Sequence, residues 1–123
     1  MIKNILLVGL GGGIGSIARY LCQRWFATNN LHPFPWGTFV VNVTGCFLIG
    51  IFWGLNFKSF NDNDNWKLFL MTGLCGGFTT FSAFTLEGIG LIKEQKLALF
   101  FTYVAASIVL GLLATYIGMK ITG

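Results

Sequence analysis

Gly73-Leu-Cys-Gly-Gly-Phe-Thr-Thr-Phe-Ser-Ala-Phe-Thr-Leu-Glu87 decides how the rest of the chain is read. It lies in an apolar segment long enough to cross a bilayer, yet it holds residues that a plain membrane helix avoids. Gly73, Gly76 and Gly77 lower helix propensity. Thr79, Thr80, Ser82 and Thr85 add hydroxyls, and Phe78, Phe81 and Phe84 recur every three residues. In lipid, irregular backbone survives only where protein or a water-filled path satisfies its polar groups. The stretch therefore predicts a broken third helix at mid-membrane depth and, there, a site for an ion or small polar solute.

The rest of the chain fits a membrane setting. Its 123 residues are 54% hydrophobic and 10% charged, with a mean hydropathy of +0.73, too apolar for a soluble domain of this size. Charged residues are absent between Lys3 and Arg19, Arg24 and Lys58, Lys67 and Glu87, and Lys96 and Lys120. Each gap holds a span of about 20 residues, enough for roughly 30 Å of hydrocarbon. An all-α membrane protein follows, with four transmembrane helices at 4–26, 36–57, 67–91 and 97–120. Connections this short leave one four-helix domain over 1–123. The apolar run after Lys3 is too long for a signal peptide and ends without a small-x-small cleavage site, so it reads as an uncleaved span.

The net charge of +4 does not imply nucleic acid. No basic patch interleaves with aromatics, and the Lys and Arg residues mostly flank the spans as anchors. With four spans both ends lie on one side, with Lys3, Lys58, Lys67 and Lys120. Arg24, Lys93 and Lys96 lie on the other. Four against three is almost no positive-inside bias. Such a chain either inserts in both orientations, which allows an antiparallel two-fold dimer, or takes one orientation from another signal. Four helices are few to enclose a path, so self-association is expected. Gly9/Gly13, Gly11/Gly15, Gly50/Gly54 and Gly73/Gly77 offer GxxxG spacings for it.

Several sharper motifs fail. Gly9 to Gly15 contains no GxxxxGK[ST], and Ile14 stands where a dinucleotide loop needs glycine; close helix packing is the better account. Asn61-Asp-Asn-Asp-Asn65 lacks the glycine and terminal Glu of a calcium loop and reads as a solvated turn. Cys22, Cys46 and Cys75 are scattered and imply neither disulfide nor metal. His32, alone in the Pro33/Pro35 loop, faces solvent. No Ser/His/Asp set exists, so the chain is not an enzyme. Arg19, within the first span, either snorkels or sits as a cation at the mouth of an anion path. Asn42 either bridges helices or lines a polar path. In the fourth span Tyr103 and Ser107 share one helical stripe.

Three stretches carry a family resemblance. They are Gly12-Gly13-x-Gly15-Ser-x-x-Arg19-Tyr20, Gly37-Thr38-x-x-Val41-Asn42-x-x-Gly45-x-Phe47-x-x-Gly50, and Gly73-x-Cys75-Gly76-Gly77-Phe-Thr79-Thr80-Phe81-Ser82-x-Phe84-x-x-Glu87. In order and at this spacing they resemble the Fluc/CrcB family of fluoride channels, over essentially the whole chain. The resemblance implies a dual-topology antiparallel homodimer in the cell (inner) membrane that exports fluoride passively through two pores. It implies a structural Na⁺ at the two-fold axis, held by the Gly76 and Thr79 carbonyls. It assigns Phe81, Phe84 and Asn42 to the pore, with Ser82 and Thr115 as a polar track, Tyr103 and Ser107 beside it, and Arg19 near the entrance. Ala83 departs from a family pattern that often has Thr there.

These residues suit the ion. Fluoride is small and strongly hydrated, so donors must replace its water. Aromatic edges are positive and attract an anion without trapping it. The alternative is a small multidrug-type proton-coupled exporter. Such a transporter needs an intramembrane carboxylate, and Asp62, Asp64, Glu87 and Glu94 all fall in a loop or at or beyond the end of the third span. A membrane scaffold would explain the glycines but not a polar track at a helix break.

Overall fold

The computed structural model describes residues 1–29, 32–55 and 65–123. The expected Asn61–Asn65 turn, apart from Asn65, and the flanking Lys58 lie outside the described residues, as do Asn30 and Leu31 in the proline loop. Among the described residues, four helices are long and apolar enough to cross a membrane: Ile2–Asn29, Trp36–Gly54, Asn65–Lys93 and Leu97–Thr122. The charge gaps located all four, and the helices overrun the gaps where a charge is tolerated. Arg19 and Arg24 sit inside the first helix, and Lys93 closes the third.

The third span is not one helix. Asn65–Lys67 leads into a π-helical stretch, Leu68–Cys75, followed by Gly76–Phe78. Thr79 (φ −88°, ψ 158°) and Thr80 (φ −148°, ψ 119°) are extended, and Phe81–Lys93 resumes as α-helix. The break thus falls within the glycine and hydroxyl stretch that the sequence singles out. The π winding carries no such signal. Lys67, expected as a flanking anchor, is only 6% exposed at the start of this span.

The third helix turns into the fourth through a Schellman arrangement. Lys96 N–H donates to Leu91 O (2.9 Å) and Gln95 N–H to Ile92 O (2.9 Å). Gln95 takes the left-handed conformation, φ 62°, that this motif requires. That tight reversal sets the second half of the third span beside the start of the fourth. There Phe34, Leu91 and Tyr103 form a buried cluster, with Phe39, Phe84, Leu99 and Phe100 packed around it.

Glycine decides the rest of the packing. A Cβ on Gly11 would meet backbone at residues 69–74, and one on Gly15 would meet Leu74 and Phe78. A Cβ on Gly50 would meet Thr115 and Met119, and one on Gly54 would meet Met119 and Thr122. Contacts climb both members of each pair together. The first helix therefore runs in the same direction as the first half of the third, and the second as the fourth. This corrects the expected use of the GxxxG pairs. Gly11/Gly15, Gly50/Gly54 and Gly73/Gly77 pack helices within one chain and are not free for self-association. Of the four pairs, Gly9/Gly13 alone has open space at both members where a Cβ would go.

One close backbone approach lies beside the break, where a Cβ on Gly77 would sit 2.9 Å from the Gly12 Cα. Backbone cannot yield as a flexible side chain can, so the two helices must part. Gly77→Ala should therefore destabilise the chain by about 1–3 kcal/mol, as overpacking does. Gly13→Ala, which meets nothing, should not. Thermal unfolding of both variants in detergent checks this; equal losses would refute it.

Candidate functional site

The site is built on the break, because extended residues inside an apolar helix bundle leave peptide groups without helical partners. Neighbouring side chains take up most of them. Thr79 N–H and Oγ1 both donate to Cys75 O, at 3.1 and 3.0 Å. Asn42, on the second helix, pairs with the whole Thr80 peptide residue: Thr80 N–H donates to Asn42 Oδ1 (2.8 Å), and Asn42 Nδ2 donates to Thr80 O (3.0 Å). Thr80 Oγ1 accepts from Ala83 N–H (3.2 Å) and N-caps the resumed helix. On the other side the first helix reaches in. Arg19 Nε donates to Gly77 O at 3.0 Å, joined by Ser16 Oγ at 3.5 Å. A cation on the last carbonyls of a helix is favoured by its dipole.

Among the described residues, no hydrogen-bond donor reaches the carbonyls of Gly76, Phe78 or Thr79. Gly76 and Thr79 line a groove of about 440 Å³ that Phe78 does not. Carbonyl oxygens without donors, on two residues of one groove wall, suit a hard cation, so the residues present fit the Na⁺ that the family resemblance implies.

Asn42, Phe81, Phe84 and Ser107 line that same groove. Ser107 Oγ is buried with no hydrogen-bond partner. The Phe81 and Phe84 rings are 5.8 Å apart at 39°. Phe81 is 76% exposed, so this side of the groove lies at the chain's surface. Phe84 then contacts Tyr103 (5.0 Å), and Tyr103 contacts Phe34 edge-on (5.4 Å, 81°). An aromatic file thus runs from the break to the proline loop.

At the far end of that file a second cavity of about 560 Å³ opens, lined by Gln23, His32, Thr38, Glu87 and Glu94 among others. Tyr103, fully buried, donates its hydroxyl to Glu87 Oε1 at 3.2 Å. Gln23 Nε2 donates to Thr38 Oγ1 at 3.0 Å, and the Thr38 hydroxyl also approaches the Glu87 carboxylate. One polar side chain from each helix meets here. His32 Nδ1 accepts from Phe34 N–H at 3.0 Å and shapes the loop.

The expected site residues therefore divide into three groups. Asn42, Phe81, Phe84 and Ser107 meet at the groove, with Gly76 and Thr79 on its wall. Tyr103 stands one ring further along. Ser82 is exposed beside Thr80, 3.4 Å between hydroxyls, and is not on the groove lining. Thr115 donates to Cys46 O at 2.9 Å, a bond between the second and fourth helices. Arg19 is not on the groove lining; its Nε rests on the Gly77 carbonyl.

Sequence reasoning missed Glu87, Ser16 and Thr80. Glu87 was expected at or beyond the end of its span; it lies within Phe81–Lys93 and bonds Tyr103. Ser16 precedes Arg19 by three positions, the spacing that puts both on one helix face. Thr80 stands directly before an apolar helix, the position of an N-cap.

The family model described as "CrcB-like protein, Camphor Resistance (CrcB)" matches residues 6–119. The chain is similar to the fluoride-specific ion channel FluC of Phocaeicola vulgatus, 47% identical over 117 residues, covering 95% of this chain and 96% of that one. The FluC protein of Flavobacterium psychrophilum is 44% identical over 119 residues (97% and 96%). That of Rhizobium etli is 45% identical over 116 residues (94% and 93%).

The Tyr103 hydroxyl is separable from its ring. Tyr103→Phe keeps the contacts to Phe84 and Phe34 and removes only the bond to Glu87. A loss of about 1.5–3 kcal/mol is expected, the range for a bond to a charged acceptor, with the fold retained. Thermal unfolding with near-ultraviolet circular dichroism of the aromatic file measures both; an unchanged midpoint would show the bond is dispensable.

Proposed function

This chain belongs to the CrcB family, and we propose that it is a fluoride-selective channel that lets fluoride leave the cell down its gradient. It is a multi-pass membrane protein, read here as residing in the cell (inner) membrane. The observation that carries the proposal is the groove where the Phe81 and Phe84 rings, the Asn42 amide and the partnerless Ser107 hydroxyl meet.

Each group has a physical part in moving fluoride. Stripping water from so small an anion is costly unless donors replace it. Asn42 uses one N–H on Thr80 O and has a second to offer. Ser107 Oγ–H is free to donate because nothing among the described residues accepts it. The ring edges of Phe81 and Phe84 provide weak positive fields between stronger donors, so the ion is not held too tightly to leave. Tyr103 continues the file toward the cavity beside Glu87. Ser82, Thr115 and Arg19 belong to the same reading as its polar flank and its fixed positive charge.

The break supports a cation as well. The Gly76 and Thr79 carbonyls lack donors among the described residues and would hold a structural Na⁺ at the axis of a dimer. When bound, such an ion supplies a positive charge that lowers the cost of an anion nearby. A single chain also leaves Phe81 and the groove uncovered. A second copy in the opposite orientation would cover them, in keeping with the near-equal distribution of Lys and Arg. We read the break as lying at mid-membrane depth and the four helices as one domain.

The proton-coupled exporter is not favoured. Counting acids no longer excludes it, because Glu87 lies inside the third helix. Family membership and the fluoride-specific relatives carry the exclusion instead.

Fluoride efflux from liposomes holding the purified protein tests the proposal, with chloride as control. Efflux should be passive and fluoride-selective, and Phe81→Ile or Phe84→Ile should reduce it at least about tenfold, ~1.4 kcal/mol on the barrier. Chloride passing as fast as fluoride would refute selectivity. Undiminished flux in both variants would remove the rings from the path.

The dimer has its own test. A cysteine tag at the C-terminus, probed with an impermeant thiol reagent in cells, should label from both sides of the membrane in comparable amounts. Labelling from one side alone would leave no antiparallel dimer to form.

A further inference from the structure

In an unbroken α-helix the carbonyl of residue i accepts from the N–H of residue i+4. Across this break the donor for Gly76 O would be Thr80 N–H, and the donor for Thr79 O would be Ala83 N–H. Neither arrives. Thr80 N–H is held by Asn42 Oδ1 at 2.8 Å. Ala83 N–H is held by Thr80 Oγ1 at 3.2 Å. The neighbouring carbonyls are occupied: Cys75 O keeps its helical donor, Thr79 N–H, and Gly77 O takes Arg19 Nε. Phe78 O is also free but does not line the groove.

We infer that Asn42 and Thr80 create the cation site without touching the cation, each by capturing the one backbone N–H that would otherwise close a ligand carbonyl. This rests on the reading of Gly76 and Thr79 as the cation's ligands. The inference makes them positioning residues, and it gives Asn42 two roles. Its Oδ1 frees Gly76 O for the cation, while its remaining N–H faces the anion path. It also explains why the break holds two consecutive threonines. Thr79 turns its own hydroxyl back to Cys75 O and presents its carbonyl. Thr80 is the residue whose hydroxyl stops Ala83 from reclaiming that carbonyl.

The two captures come from different elements and converge on Thr80. Asn42 acts from another helix, across 38 positions of sequence. Thr80 acts from within its own turn, as an N-cap. Removing either should restore one helical bond and withdraw one carbonyl, half of a chain's contribution to the site.

The test is the Na⁺ dependence of thermal unfolding, in purified full-length protein with choline replacing Na⁺. An ion that binds only the folded state raises Tm with its concentration. The parent protein should show that rise. Thr80→Val, isosteric but without an acceptor, should need at least about tenfold more Na⁺ for the same rise, ~1.4 kcal/mol. Thr80→Ser, which keeps the oxygen, should restore the parent dependence. Asn42→Leu should behave as Thr80→Val does; should it fail to fold, the Thr80 pair still decides. A merely structural cap would lower Tm by the same amount at every Na⁺ concentration, and that result for Thr80→Val would overturn the inference alone. A parent protein indifferent to Na⁺ would overturn the cation reading and this inference together.

Discussion

The structure depends on one side chain satisfying both polar groups of one residue's backbone: Asn42 on Thr80, at 2.8 and 3.0 Å. An unpaired peptide group in an apolar medium costs several kcal/mol, so a break in a membrane helix needs a substitute for the bonds it loses. A primary amide is such a substitute, carrying a donor and an acceptor like a peptide. Asp would lose the donor and Leu both. With Thr80 fixed, Phe81 begins a new helix in a set direction. The Phe81–Phe84 pair, the Phe84–Tyr103 contact and the groove beside them all follow from that direction.

Glycine makes the arrangement compact enough for that bond to form. The backbone of the first helix lies against Gly73 and Gly77, and that of the fourth against Gly50 and Gly54. Without Cβ atoms the helices approach until side chains as short as Ser16 reach a carbonyl on the next helix. The break is thus gripped from two sides, by Arg19 and Ser16 from the first helix and by Asn42 from the second. Small residues act here mostly inside the chain. The groove side, with Phe81 exposed, is the face the chain leaves incomplete.

Much of this was legible in the sequence. Four spans could be read because charge is so costly in hydrocarbon that its absence marks each one, and the helices extend past those marks only at their ends. The break could be read because Gly76, Gly77, Thr79 and Thr80 together disfavour helix. The π winding over Leu68–Cys75 could not, because no residue pattern there distinguishes π from α winding, and the stretch packs against Gly11 and Gly15 of another helix. Which glycine pairs face inward depends on helix rotation, which a GxxxG spacing does not specify. The place of Glu87 was misjudged because an acid was taken as a span boundary. Tyr103 and Thr38 make it tolerable inside the helix, and both come from other helices. Arg19 was ambiguous for the same reason: its partner, a backbone carbonyl 58 positions away, has no side-chain signature.

The placement of Arg19 bears on how an anion path can be selective without trapping its ion. A guanidinium open to the groove would bind fluoride tightly and slow its release. Docked through Nε on Gly77 O, it instead faces the end of a half-helix whose carbonyls carry partial negative charge. Its charge is partly balanced there, and its field reaches the groove only through the intervening backbone. The groove itself then presents neutral donors, the Asn42 amide and the Ser107 hydroxyl, and ring edges. Neutral donors favour the smallest halide most, because a short contact is where a hydroxyl or amide dipole gains the most. Larger anions approach less closely and gain less from the same groups, while aromatic walls offer them no compensating charge. On the proposed reading, selectivity would come from short-range donors at the groove, with the Arg19 charge held on the Gly77 carbonyl.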